Sequence, residues 1–170
     1  MASIPETVQE RYHLDKADEL SSTGVTGYIG GDVLSQLLPL YPTLTYRILV
    51  RTEEKGKQIR AQYPEVQILD GGLSNSAILE QESTNTDAIV HSADAADNLP
   101  IRKSIVTGIL QGHTPERPAY WLHTSGAGIF SYIDEDEKIY EIKRAKIFND
   151  WDGIKEIVSN PDHAFHRDVD

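Results

Sequence analysis

The sequence predicts an α/β fold in which helices cover both faces of a mostly parallel sheet, and two observations support this. Short apolar strand segments alternate with helical segments, as in Thr45 to Val50 followed by Glu53 to Gln62. A glycine-rich run, TGVTGYIGG from Thr23 to Gly31, directly precedes a segment with helical apolar spacing. Such alternation builds right-handed βαβ units and a three-layer αβα arrangement.

The individual elements can be followed along the chain from the glycine run. Tyr28 to Leu38 carries apolar residues on one face and is predicted to be a helix ended by Pro39 and Pro42. Further strands and helices are predicted in alternation at Val66 to Leu69, Ser76 to Ser83, Asp87 to His91, Pro100 to Leu110 and Ala119 to Thr124. After Gly128 the alternation weakens.

The glycine run has the spacing needed for phosphate binding. Gly24, Gly27 and Gly30 form G-x-x-G-x-x-G at the start of the first predicted helix. A pyrophosphate there approaches backbone N–H groups at a helix N-terminus, and a β-carbon would block it. A plain glycine-rich turn is the alternative, but the βαβ pattern that follows favours a dinucleotide-binding Rossmann unit.

The strand that should precede this turn is not evident in the sequence. Residues 18–22, DELSS, are polar, whereas a central parallel strand is typically an apolar run. We therefore predict a polar extension at residues 1–22 and a Rossmann-like, NAD(P)-binding domain at residues 23–170. This domain is expected to be incomplete, with the first strand and the C-terminal strands missing.

These residues resemble a known protein superfamily. TGVTGYIGGDVL resembles the TG-x-TG-[FY]-[IL]-G signature of extended and atypical short-chain dehydrogenases/reductases, close to the NAD-dependent epimerase/dehydratase and NmrA-like groups and to fungal NAD(P)-binding proteins. ILVRTEEKGKQI, ILDGGLSN, DAIVHSADA and YWLHTSGAGIF follow in the family's order. The resemblance implies cofactor contacts from Gly24, Thr26, Gly27, Tyr28, Ile29, Gly30, Arg51, Leu73, Ser92 and Ala93.

The chain also departs from the family pattern. The family's Tyr-x-x-x-Lys is absent, and Gly72 stands where an aspartate is usual. Family members continue well beyond the equivalent of Asp170. The chain therefore resembles a truncated form of a longer enzyme.

The residue after the second predicted strand indicates the cofactor. NAD-binding folds usually place an acidic residue about 20 residues after the glycines, against the ribose 2′-hydroxyl. Arg51 stands there, followed by Lys55 and Lys57. Arginine suits a 2′-phosphate because its guanidinium is planar and always charged. We predict NADP as the cofactor, with NAD possible; ordinary surface charge at a helix start is the alternative.

The resemblance also implies catalytic hydroxyl groups. Ser125, in HTSG, falls where the family has its catalytic Ser or Thr, and Thr124 is the neighbouring candidate. Either hydroxyl would hydrogen-bond the carbonyl or alcohol of a small-molecule substrate. Ordinary turn residues at a strand end are the alternative.

Composition and charge exclude several other classes of function. The net charge of −11 argues against nucleic acid or an anionic membrane as a partner, and cysteine is absent. No metal site is predicted, because the histidines lack zinc-ligand spacing. With neither a signal sequence nor a long apolar run, a cytoplasmic protein is expected. Nothing in the sequence specifies an oligomeric state.

The sequence thus predicts an NADP-dependent oxidoreductase that acts on a carbonyl or alcohol of a small metabolite. The departures from the family pattern suggest two alternative functions. A non-catalytic, NmrA-type NADP sensor fits the missing Tyr-x-x-x-Lys, and an inactive fragment of a longer reductase fits the missing first strand.

Overall fold

The computed structural model describes residues 16–150 and 152–169, which form two compact units. The first unit contains the described residues up to Asp94 together with Pro100–His123. The second contains Ala95–Leu99 and the described residues from Thr124 onward. Most of the predicted N-terminal extension, residues 1–15, lies outside the described residues.

The first unit is built on a five-stranded parallel sheet with the order β3-β2-β1-β4-β5. Its strands are β1 Glu19–Thr23, β2 Thr45–Val50, β3 Gln67–Asp70, β4 Ala88–His91 and β5 Tyr120–His123. Its helices are α1 Tyr28–Leu40, α2 Glu53–Gln62, α3 Ser76–Asn85 and α4 Leu99–Gly112. The predicted Rossmann-type αβα fold is confirmed.

The prediction that the first strand is missing is wrong. β1 is the central strand and pairs with β2 and β4. Its polar side chains are buried because they find hydrogen-bond partners: Thr86 Oγ1 donates to Ser21 Oγ at 3.1 Å, and Thr23 Oγ1 lies 2.8 Å from His91 Nδ1. The predicted domain boundary at residue 22 therefore falls inside β1.

The two faces of the sheet are covered by different helices. α1 and α2 pack on one face, in a cluster that includes Leu20, Leu34, Leu38, Ile48, Ile59 and Val90. α3 and α4 pack on the other, in a cluster that includes Leu49, Leu79, Ile89, Ile101 and Ile105. Because both faces are covered, the carboxyl edge of the sheet is where a ligand can approach the strand ends.

The first helix runs further than the sequence pattern indicates. α1 continues to Leu40 and contains Pro39, which was expected to help end it. Pro39 stands in the last turn, where its missing N–H removes one intrahelical hydrogen bond, and α1 ends one residue later. Tyr41 has φ −129° and ψ 65°, outside the helical region, which proline disfavours for the residue before it.

The end of α1 is closed by a buried tyrosine. The hydroxyl of Tyr46 contacts the carbonyl oxygens of Leu37 and Tyr41, each at 3.0 Å. Burial, with a smaller contribution from Tyr41, raises the pKa of Tyr46 to about 12, so the hydroxyl remains a donor.

Replacing Tyr46 by phenylalanine is expected to lower the free energy of unfolding by about 1 kcal/mol, because the part-buried carbonyl oxygens of Leu37 and Tyr41 each lose one donor and keep a backbone N–H. Urea denaturation measures the change. Tyr63→Phe is the matched control, since the Tyr63 hydroxyl bonds only the exposed side chain of Gln62 among the described residues. Equal losses in the two variants would contradict this role for Tyr46.

The second unit contains shorter elements. They are a 3₁₀ helix at Ala127–Phe130, α5 at Tyr132–Glu137 and α6 at Ile154–Ile157. Its buried apolar residues include Ile129, Ile157, Ala164 and Val169. Within residues 16–150 and 152–169, no helix has the length and apolar character needed to cross a membrane.

Candidate functional site

The glycine turn between β1 and α1 requires glycine at its first position. Gly24 has φ +83°, which L side chains rarely adopt. A Cβ there would lie 2.5 Å from Ser92 Oγ and 2.8 Å from the Ala93 nitrogen. The turn therefore packs directly against the segment that follows β4.

Gly30 is required for a different reason, close packing. A Cβ on Gly30 would lie 2.5 Å from the carbonyl oxygen of Gly24 and 2.6 Å from Ser92 Oγ. Ser92 Oγ donates to the carbonyl oxygen of Thr23 at 2.9 Å, and Gly27 N donates to the carbonyl oxygen of Gly24 at 2.8 Å. These contacts fix the turn at the carboxyl ends of β1 and β4.

The N-terminus of α1 is open to an anion. Gly27 supplies no capping side chain, and the first turn of α1 contains no acidic residue. Thr26, Gly27 and Tyr28 are exposed, with Tyr28 94% exposed. A helix N-terminus leaves backbone N–H groups unpaired and carries partial positive charge, so this turn can bind a phosphate group.

An open cleft of about 250 Å³ extends from the turn along the carboxyl edge of the sheet. Its lining residues are Gly24, Thr26, Gly27, Leu49, Val50, Arg51, Gly71, Leu73, Ser92, Ala93 and Asp94. Most of the residues predicted to contact the cofactor are therefore brought together here. The exceptions are Gly30, which is buried behind the turn, and Tyr28 and Ile29, which are exposed at the start of α1.

Four lining residues were not predicted from the sequence: Leu49, Val50, Gly71 and Asp94. Leu49 and Val50 end β2, and Gly71 directly follows β3. Asp94 follows β4 and has φ +53°, which is uncommon for aspartate. The signal that could have identified them is position, since such a cleft lies outside the carboxyl ends of the strands around the point where the strand order reverses.

Arg51 is the cation of the cleft. It is exposed, and no carboxylate among the described residues pairs with it. The other members of the predicted basic cluster are engaged: Lys57 Nζ lies 2.7 Å from Glu53 Oε1, and Lys55 Nζ lies 3.3 Å from Gln58 Oε1. Arg51 is therefore the lining residue best suited to a phosphate.

His91 lies beneath the cleft and does not line it. Its ring is fully buried, with Nδ1 facing Thr23 Oγ1 and the His123 ring centroid 5.5 Å away. Burial, and then the proximity of His123, lower the pKa of His91 to about 4, although Asp94 opposes the shift. His91 is therefore neutral at physiological pH and supports the strand ends.

The predicted catalytic residues directly follow β5 in the chain and belong to the second unit. Thr124 is half-buried, whereas Ser125 is exposed, with Oγ 3.4 Å from the carbonyl oxygen of Gly126. The described residues form no cluster of three or more potential metal ligands.

Comparison with known proteins identifies the fold. No family model matches the chain. The chain is 33% identical over 149 residues to Oxidase ucsJ from Acremonium sp, covering 88% of this chain and 42% of that protein. A wide-type short-chain dehydrogenase/reductase from Veillonella parvula DSM 2008, solved in complex with NADP, superposes with a TM-score of 0.53 and 18% identity.

That superposition covers 75% of this chain and 57% of the Veillonella chain. An ethylated short-chain dehydrogenase/reductase from the same organism gives a TM-score of 0.52 at 20% identity, over 66% of this chain and 49% of its own. The fold is the one seen in these two short-chain dehydrogenases/reductases. This chain spans less than half of the curated relative's length.

In this Rossmann-type fold, the cleft occupies a recognised position. The strand order reverses between β1 and β4, and ligands of open α/β sheets bind outside the carboxyl ends of the strands at such a point. The glycine turn and Ser92 stand at this reversal, and Arg51 stands at the end of β2. The resemblance noted in the sequence is thereby confirmed at the level of the fold.

Proposed function

We propose that this chain binds NADP(H) in the cleft at the glycine turn and forms the cofactor-binding part of an oxidoreductase. The proposed substrate is a small metabolite with a carbonyl or alcohol group. The observation that carries the proposal is that Arg51, an exposed cation without an acidic partner among the described residues, lines the same cleft as the glycine turn.

The residues present fit the cofactor. Gly27 lines the cleft, and a Cβ there would meet only the carbonyl oxygen of Gly24, so the open space beside it favours close approach of a pyrophosphate to the backbone. The 2′-phosphate would lie against Arg51, and the apolar side chains of Leu49, Val50 and Leu73 suit the adenosine half. Because the chain carries a net charge of −11, a local cation is needed to offset repulsion of a phosphorylated ligand.

The remaining roles fall to hydroxyl groups. Bound NADPH supplies the hydride in reactions of this class. The hydroxyl of Ser125, with Thr124 as the neighbouring candidate, would donate a hydrogen bond to the substrate oxygen. That bond would orient the substrate for hydride transfer. The relative from Acremonium sp is named an oxidase, which supports an oxidoreductase. The Veillonella structure was solved with NADP, which supports a nicotinamide cofactor.

Replacing Arg51 by alanine is expected to weaken NADP binding about 10- to 100-fold, because a charge-assisted contact to the 2′-phosphate is lost. The affinity for NAD, which lacks that phosphate, is expected to change less than about twofold. Isothermal titration of both cofactors against both proteins measures the four dissociation constants.

Lys57→Ala is the matched control, since Lys57 is a nearby exposed cation that pairs with Glu53. It is expected to leave both affinities unchanged. Tighter binding of NAD than of NADP to the unmodified chain would contradict the proposal. Equal weakening of both cofactors by Arg51→Ala would also contradict it.

A further inference from the structure

The second unit contains a histidine that joins segments distant in sequence. His166 Nδ1 lies 3.1 Å from the carbonyl oxygen of Ala96 and 2.9 Å from Oδ1 of Asp97. The Nε2 and Cδ2 atoms of the same ring lie against Gly126 and Gly128. His166 therefore connects the segment that follows β4 in the chain with the turn that follows β5.

Gly126 is fitted to the His166 ring rather than to a special backbone conformation. Its φ of −92° and ψ of 135° are open to any residue. A Cβ there would nevertheless lie 2.3 Å from both Cδ2 and Nε2 of His166, and a Cβ on Gly128 would lie 2.9 Å from Nε2. The glycines of the SGAG turn thus make room for an imidazole ring.

His166 is itself held in an uncommon conformation. Its φ is +64°, in the left-handed region, which persists in a non-glycine residue when the surroundings hold it. A second contact joins the C-terminal segment to the turn after β5. Asn160 Nδ2 donates to the carbonyl oxygen of Ile129 at 3.2 Å, and both residues are buried. The C-terminal segment therefore contacts the turn at two places, through His166 and through Asn160.

We propose that His166 is a positioning residue that holds the turn carrying Ser125. The inference rests on the proposed function, in which the Ser125 hydroxyl contacts the substrate. A hydroxyl on an exposed turn orients a substrate only if the turn keeps one conformation. The His166 ring supplies that restraint by filling the space beside Gly126 and Gly128 and by anchoring to Ala96 and Asp97.

Amide hydrogen exchange of residues 126–131 in the full chain tests the restraint. His166→Ala is expected to speed exchange there about tenfold, because packing and a hydrogen bond are lost. His166→Asn is expected to retain most of the protection, since asparagine tolerates the left-handed conformation and keeps a donor close to Nδ1. His163→Ala, at an exposed histidine paired with Asp136, is the control and is expected to change nothing.

The steric fit gives a second test that remains informative if His166→Ala folds poorly. Gly126→Ala is expected to speed exchange of the turn in the unmodified chain but to add little in a His166→Gly background, where the ring is gone. The same effect of Gly126→Ala in both backgrounds would overturn the proposal. Unchanged exchange in His166→Ala, or equal acceleration by His163→Ala, would also overturn it.

Turnover separates this inference from the proposed function. NADPH oxidation with a panel of carbonyl compounds is expected to show kcat about tenfold lower in His166→Ala, with the NADPH dissociation constant unchanged and with recovery in His166→Asn. Absence of turnover in the unmodified chain counts against the proposed function alone, because the exchange experiments still test the restraint. Faster exchange with an unchanged kcat would show that the turn is held for stability and would overturn the positioning role.

Discussion

Replacing Glu82 by alanine is expected to lower the free energy of unfolding by about 3 kcal/mol, because it leaves a largely buried guanidinium without its main partner. Arg47 on β2 donates through Nε and Nη2 to the Glu82 carboxylate on α3, at 2.5 and 2.8 Å. The side chains of Arg47 and Glu82 are only 23% and 10% exposed. The pair therefore lies between the sheet and α3, next to β1.

Two weaker contacts keep the expected loss near the lower end for a broken buried ion pair. Arg47 Nη1 also reaches Gln67 Oε1 at 3.2 Å, and its Nε lies 4.0 Å from Glu19. Both contacts remain when Glu82 is removed, so Arg47 keeps partial compensation.

Urea denaturation of Glu82→Ala measures the loss. Glu53→Ala is the control, since it removes an exposed ion pair with Lys57 and is expected to change stability by less than about 0.5 kcal/mol. An Arg47→Met, Glu82→Leu double variant is expected to recover most of the loss, because apolar side chains of similar size can replace a buried pair. A loss no larger than that of Glu53→Ala would contradict this account of the pair.

Acidification from pH 6.5 to pH 4 is expected to remove about 3 kcal/mol of stability through His91 alone. In the folded chain, burial and then His123 lower the pKa of His91 to about 4 from its ordinary value of 6.5. Between these values the unfolded chain binds a proton that the folded chain does not. This stability is therefore fully present above pH 6.5 and is lost as the pH falls towards 4.

The Asp87 carboxylate contributes to the pH dependence of stability in a lower pH range than His91. Although burial opposes the shift, hydrogen bonds from the Asp18 and Glu19 backbone and from Arg117 hold the pKa of Asp87 below its usual value of 3.8. Its contribution is present above pH 3.8 and is lost only below it. The window between pH 6.5 and 4 therefore isolates His91 from this carboxylate.

Free energies of unfolding measured from pH 7 to pH 4 test this prediction. His91→Asn is expected to flatten the dependence whatever its own stability, because it removes the titrating group. His163→Asn, at an exposed histidine, is the control and is expected to leave the pH dependence of the free energy of unfolding unchanged. A slope that persists unchanged in His91→Asn would contradict the assignment.

The strand that sequence reasoning missed shows the limit of hydropathy patterns. β2 and α2 lie where their residue patterns predict, since TYRILV is apolar and α2 is bounded by the capping residue Thr52. β1 has the residues ELSST, and burial of its hydroxyl groups depends on Thr86 and His91, which are distant in sequence. No local pattern contains those partners, so its central position was not predictable.

The candidate site was predictable in part for a similar reason. The glycine spacing and Arg51 are local signals, and the structure brings both to one cleft. The fit of His166 to Gly126 joins residues 40 positions apart and has no local signal. The presence of β1 also removes the argument from a missing first strand that favoured an inactive fragment.

The dissociation constants of NADPH for the unmodified chain and for Gly27→Ala test most directly whether the glycine turn binds the cofactor. Gly27 lines the cleft, and a Cβ there would meet only the carbonyl oxygen of Gly24, at 3.2 Å. The variant should therefore fold while placing a methyl group where the pyrophosphate approaches. Gly72→Ala is the control, because its Cβ would have no neighbour closer than 3.6 Å and Gly72 does not line the cleft.

The unmodified chain and Gly72→Ala are expected to bind NADPH equally, and Gly27→Ala is expected to bind it at least about tenfold more weakly. Folded Gly27→Ala that binds NADPH as tightly as the unmodified chain, or an unmodified chain that does not bind NADPH, would contradict cofactor binding by the glycine turn.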